Sequence, residues 1–190
     1  MAEQRKSLFF RIFVLAILYF LFLSIKAKNY EFLYYNLIML IILTGIVIAG
    51  YGIHLRHSLF VGISVVALLH LAGGNVFTGG YPLYQTHLWI IPYDKIVHFS
   101  GSFIMALIFF GYLRSVLKEE FQNRTVVLGI LAILLTIGMG SMVEVIEFLA
   151  TLLFKTTLVG DYINNAGDLV TNTFGALAAC FVRIRRMMRE

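Results

Sequence analysis

Charge is scarce in this chain. Only 13% of its 190 residues are Asp, Glu, Lys or Arg, against roughly a quarter in an ordinary soluble domain. With 60% hydrophobic residues, a soluble fold could not hide its apolar surface, so that class is excluded. Cysteine is nearly absent: Cys180 stands alone, which excludes an internal disulfide and leaves it as a small apolar helix residue. The only two prolines, Pro82 and Pro92, fall in one loop. No low-complexity tract and no convincing internal repeat is visible. The N-terminus has a basic start and an apolar run, as a signal peptide does. LSIKAKN offers no small-x-small cleavage site, so an uncleaved first helix is expected.

What is abundant is apolar length. Mean hydropathy is +0.88, and the long apolar runs contain helix formers rather than alternating strand patterns. The fold class read from this is all-α: a polytopic membrane helical bundle forming one domain over 1–190. Six spans are predicted, at Leu8–Ile25, Phe32–Tyr51, Leu59–Ala72, Ile96–Leu113, Val126–Phe154 and Ala166–Val182. The third is short at 14 residues, with room to extend back through IHLRHS; the fifth is long at 29. About 20 residues cross a bilayer.

The net charge of +5 does not point to nucleic acid, because the basic residues lie between apolar runs and at the ends. With the N-terminus inside, eleven Lys and Arg are cytoplasmic and four (Lys26, Lys28, Lys95 and Lys155) are outside. The positive-inside rule then sets both termini in the cytoplasm, and RIRRMMRE becomes an anchor for anionic headgroups. The long outer loop, Gly73 to Tyr93, holds four glycines, both prolines and the only tryptophan. Such a mixture fits a loop lying on or dipping into the membrane. In it, Gly73–Gly74 and Gly79–Gly80 read as turns, without the context of a phosphate loop.

Five of the ten acids, Glu3, Glu31, Glu119, Glu120 and Glu190, fall in tails or short loops. The other five, Asp94, Glu144, Glu147, Asp161 and Asp168, lie in or beside the last three spans. Glu144 is 18 residues into the fifth span, about 27 Å along its axis and so near the outer boundary. Asp94 and His98 enter from the outside on the fourth span, Asp168 and Asn172 on the sixth. Each pair shares a helix face at i, i+3 or i, i+4 spacing. His70 ends the third span at the same level. Charges at membrane depth usually face the bundle interior or a water-filled cavity. An outward-facing polar cavity is therefore expected.

The ordered set YDKIVHF, EVIEF and GDYINNAGDLVTNTFGALAA, together with HLAGG, resembles the VanZ-like superfamily of small bacterial membrane proteins, and more closely its YjdF-like inner-membrane branch. The resemblance covers roughly Leu59 to Cys180. It carries over His70, Asp94, Lys95, His98, Glu144, Glu147, Asp161, Asn165, Asp168 and Asn172, with Gly175 as the small residue that follows. Asn164–Asn165 stands where an Asn-Asp-like pair would be expected. The resemblance implies the bacterial inner membrane and an association with the cell envelope, and no particular reaction.

Three function classes fit. The first is an enzyme of acid–base or metal-assisted type, a hydrolase or transferase acting on a lipid-linked envelope intermediate. There Glu144, Glu147, Asp94 and His98 are the catalytic candidates, and Asp168, Asn172, Asn165 and His70 hold substrate. Glu144, Glu147, His98, Asp161 and Asp168 are the candidate ligands for a divalent metal, Zn, Mn or Mg. The second is a proton- or cation-coupled transporter, which at this length would need a homodimer; its sites would be expected near the midplane, not at one face. The third is structural: buried polar groups lock helices together. For any one pair that bland reading weighs as much as chemistry. Lys95 reads as a snorkelling residue, Asn172 as a helix-bonding one, and Ser141 as packing. His54 and His57 beside Arg56 read as solvated, and His87 as an outer-loop residue. Membrane lipid is the expected partner; nucleic acid is not.

Overall fold

The computed structural model describes residues 2–49, 57–155 and 157–187, with 2–9 and 43–49 in backbone only. Tyr51, His54, Arg56 and the last three residues of RIRRMMRE therefore lie outside the described residues, with the expectations placed on them. The described chain is helical: α1 (Ala2–Lys26), α2 (Tyr30–Ala49), α3 (His57–Asn75), α4 (Tyr93–Val116), the short α5 (Glu119–Gln122), α6 (Thr125–Leu153) and α7 (Tyr162–Met187). Four two-residue strands, β1 (Phe77–Thr78), β2 (Tyr81–Pro82), β3 (His87–Leu88) and β4 (Ile91–Pro92), lie between α3 and α4. Among the described residues, three helices, α3, α4 and α6, are long and apolar enough to cross a membrane.

The chain packs as two compact units. The first comprises residues 1–94 and 150–158, the second 95–149 and 159–190. In the first, α1 and α3 share an apolar core of Phe13, Ile17, Ala67 and Leu71, with Met39 and Leu40 of α2 against it. The α1–α2 corner is tight for local reasons. Lys28 takes a left-handed φ of 53°, and its amide and that of Asn29 bond back to Ile25 and Ser24, closing the helix end. Asn29 then caps α2 by accepting from the Phe32 amide. A buried polar chain ties the three helices: Asn36 donates to Ser24, and Ser24 donates to Asn75 at 2.9 Å. In an apolar medium such bonds hold helices where the hydrophobic effect does not.

Gly73 and Gly74 differ from expectation. They are buried inside α3 and make no turn. A Cβ on Gly73 would overlap the Tyr84 ring, and one on Gly74 the Phe32 ring. Glycine is there for close approach, so α3 runs on to Asn75 and reaches 19 residues. Gly79–Gly80 does form a turn, with φ of 61° and 88°.

In the second unit α4 and α7 run parallel and α6 runs against both. Their core is Ala106, Phe110, Leu128, Ala132, Ala176, Ala179 and Cys180. Helix α7 is inside-out by soluble standards. It buries Asp168, Asn172, Gly175, Ala176, Ala179 and Cys180, while Phe174 and Phe181 are more than half exposed. The small residues let backbones meet: a Cβ on Gly175 would lie 2.5 Å from the Phe99 carbonyl oxygen of α4.

Candidate functional site

Around the N-terminal turns of α4 and α7, the second unit gathers two carboxylates, an ammonium and an imidazole. Asp168 is 1% exposed. Its Oδ1 receives Lys95 Nζ at 2.8 Å and its Oδ2 receives Asn164 Nδ2 at 3.0 Å. Lys95 also donates to Asn164 Oδ1 at 2.9 Å and to the Asn164 carbonyl at 3.1 Å. Three acceptors thus meet the three protons of the ammonium. The side chain reaches them by passing Gly167, where a Cβ would stand 3.3 Å from Lys95 Cε.

His98, one turn beyond Asp94, lies between the two carboxylates. Its Nε2 is 3.4 Å from Asp168 Oδ1 and its Nδ1 is 3.8 Å from Glu144 Oε1. Glu144 comes from α6 and is buried. One turn deeper, Ser102 donates to Asn172 Oδ1 at 2.8 Å. Asn172 Nδ2 is buried with no hydrogen bond among the described residues and rests over Gly140. The order along the site is Glu144, His98, Asp168, Lys95. With a neutral imidazole these groups carry one more negative charge than positive. One bound proton or ligand cation balances them, and an unbalanced buried charge is costly.

His98, Glu144 and Asp168 offer ligand atoms that all lie within 4.8 Å of one another. Glu147 is half-buried in the same helix as Glu144 but is not one of the three. Asp161 is exposed and caps α7, accepting from the Asn164 amide at 2.9 Å. Asn165, on the same helix, has a buried Oδ1 that accepts no hydrogen bond among the described residues. Its neighbour Asn164 makes the contacts to Lys95 and Asp168. The i, i+4 spacing of Asn164 and Asp168 was the available signal. Lys95, read from sequence as a snorkelling residue, pairs with Asp168, and its i, i+3 spacing from His98 was the clue.

Asp94 and His70 belong to the first unit. His70 Nδ1 is 2.6 Å from the Tyr84 hydroxyl, and the Phe32, Tyr35 and Tyr84 rings lie 5.3–5.9 Å from the imidazole. Glu31, read from sequence as a loop acid, is 5% exposed here. It accepts the Leu158 amide at 2.8 Å and the Tyr35 hydroxyl at 3.4 Å. Nothing local in the sequence announces a partner 127 residues away. A cleft of about 250 Å³ in this unit is lined by Leu23, Lys26, Ala27, Gly74, Asn75 and Phe77, and by none of the predicted site residues.

No curated protein and no solved structure matches the chain. A family profile does, over residues 8–189, nearly the whole length. The buried charges, the inside-out α7 and that match agree, and the chain belongs to the family of predicted membrane proteins DUF2238.

Proposed function

We propose that the residues around His98 form a membrane-embedded acid–base centre that takes the polar head of an amphipathic or lipid-linked cell-envelope molecule. The observation that carries this reading is the position of His98, with one ring nitrogen towards each carboxylate. An imidazole so placed takes a proton on one side and releases one on the other. Glu144 and His98 are then the proton-transfer pair. Asp168, fixed by Lys95 and Asn164, orients the ring, and the Asn172 amide is the donor offered to a ligand. Glu147, Asp94, Asn165 and His70 stay candidates on their sequence positions alone.

A divalent cation is the second reading, favoured by the three convergent ligand atoms. The fit is weaker in two respects. Asp168 and Glu144 address different ring nitrogens, whereas one ion takes only one nitrogen of an imidazole. Lys95 also already occupies Asp168 Oδ1. Zn²⁺, Mn²⁺ or Mg²⁺ would have to displace that ammonium.

This reading takes the six long helices as six spans of one membrane domain in the bacterial inner membrane, with both termini cytoplasmic. The eleven-to-four distribution of Lys and Arg supports it. The VanZ-like resemblance supports the envelope setting. The test is co-purification in native-lipid discs, with wild type beside His98→Gln and Glu144→Gln and folding checked by helical signal. Mass spectrometry of the lipid extract and elemental analysis are read together. An enriched amphipathic molecule lost in both variants supports the centre. A stoichiometric divalent metal lost in both moves the site to the second reading. Equal contents in all three leave helix locking.

A further inference from the structure

The segment joining α3 to α4 is built twice. Val76–Leu83 and Thr86–Tyr93 each close with a backbone bond of 3.0 Å, Leu83 to Val76 and Tyr93 to Thr86. Within each, two-residue strands pair antiparallel around a two-residue tip. Phe77 opposes Pro82 and Thr78 opposes Tyr81; His87 opposes Pro92 and Leu88 opposes Ile91. Proline holds the same place in both. This is a tandem repeat that the sequence hid, because only the proline and the spacing are shared.

The two tips carry opposite chemistry. The first is Gly79–Gly80, both left-handed, the pattern of a type I′ turn. The second is Trp89–Ile90, and there Trp89 takes the left-handed φ of 63°. Glycine is the residue this position ordinarily holds. The second hairpin therefore accepts backbone strain to place a tryptophan at its tip. Trp89 is 95% exposed and Ile90 88%, with Leu88 and Ile91 more than half exposed beside them. Four consecutive apolar side chains, LWII, project from one small hairpin, a composition that water disfavours.

Chain connectivity says what covers it. Tyr93, which closes the second hairpin, is also the first residue of α4, a helix long and apolar enough to span a membrane. Four residues of extended chain reach about 13 Å, so the tip stays within the headgroup zone or the edge of the hydrocarbon. Tryptophan is the residue enriched at that boundary. We propose that the β3–β4 hairpin is a membrane anchor, with Trp89 and Ile90 inserted into the headgroup–acyl boundary of the leaflet where α3 ends and α4 begins. The Gly79–Gly80 tip has no side chain to insert. The anchor is independent of the acid–base reading.

Trp89 is the only tryptophan in the chain, so the wild-type protein reports on itself. It is reconstituted at low density into phosphatidylcholine–phosphatidylglycerol bilayers, with and without phosphatidylcholine brominated at shallow acyl positions. Insertion predicts blue-shifted emission, loss of most intensity with the brominated lipid, and protection from aqueous acrylamide. Water-like emission quenched by acrylamide and untouched by bromine overturns the proposal. Protection from both quenchers also overturns it, and points to a protein contact with a second copy.

Discussion

Lys95 Nζ and Asp168 Oδ1 stand 2.8 Å apart, joining the first turn of α4 to the second turn of α7 across 73 residues of chain. The carboxylate is almost wholly buried, so the pair is strongly conditional: each charge is tolerable only with the other. Lys95→Met is expected to destabilise the folded protein by about 3 kcal/mol, the cost of a buried charge losing its partner. Adding Asp168→Asn to Lys95→Met removes the stranded charge and recovers much of the loss. Thermal unfolding in detergent of wild type, both single variants and the double variant measures the coupling. Strict additivity would contradict the pairing.

His98 shares its two nitrogens between Asp168 and Glu144. Its ring should therefore sense both carboxylates. Nitrogen NMR of histidine-labelled protein, with His98 identified through His98→Gln, is expected to show its titration moved by Glu144→Gln and by Asp168→Asn alike. A titration altered by only one of them would restrict the acid–base path to that side.

Ser102 and Asn172 form a neutral interhelical bond of 2.8 Å one turn deeper. Ser102→Ala should cost about 0.6 kcal/mol and no more than about 1.7, the average and the maximum for such bonds within a membrane protein. A Ser102→Ala, Asn172→Ala double-mutant cycle by thermal unfolding reads the coupling directly. A coupling near zero would remove this bond from the account of α4–α7 packing.

Gly175 packs against the backbone of α4, whereas a Cβ on Gly138 of α6 would meet nothing within 4 Å. Gly175→Ala must move a backbone and should destabilise by about 1–3 kcal/mol. Gly138→Ala should be neutral, or stabilise by about 0.5 kcal/mol through reduced backbone freedom. Melting temperatures of the two variants, side by side, separate close approach from mere helix propensity.

Trp89 sits in a left-handed conformation that costs a residue with a Cβ roughly 1–2 kcal/mol. In detergent, Trp89→Gly is therefore expected to leave stability unchanged or raise it by up to about 1 kcal/mol. A marked loss of stability by thermal unfolding would mean that the indole packs against the protein.

The helical membrane class was legible because apolar run length and charge scarcity are local properties. Each predicted span overlaps a long helix over its described residues, and three of those helices, α3, α4 and α6, are long and apolar enough to cross a membrane. Helix α3 runs on to Asn75, since Gly73–Gly74, read as a turn, are contact points for Tyr84 and Phe32. A glycine's demand for space and its freedom to turn are the same letter in a sequence. Glu31 was misread for a related reason: its partner, the Leu158 amide, is a backbone group with no signature of its own.

The sequence by itself determined that charges would be few and clustered near one end of the last three long helices. Depth follows from counting residues at a fixed helical rise. Tertiary structure alone decided which of those charges meet. The rotation of α4 against α7 brings Lys95, His98 and Ser102 onto Asn164, Asp168 and Asn172, and leaves Asp161 as a helix cap. That rotation is set by small residues such as Gly167 and Gly175 letting neighbouring elements approach. Periodicity tells which residues share a face, but the face that finds a partner is chosen by packing.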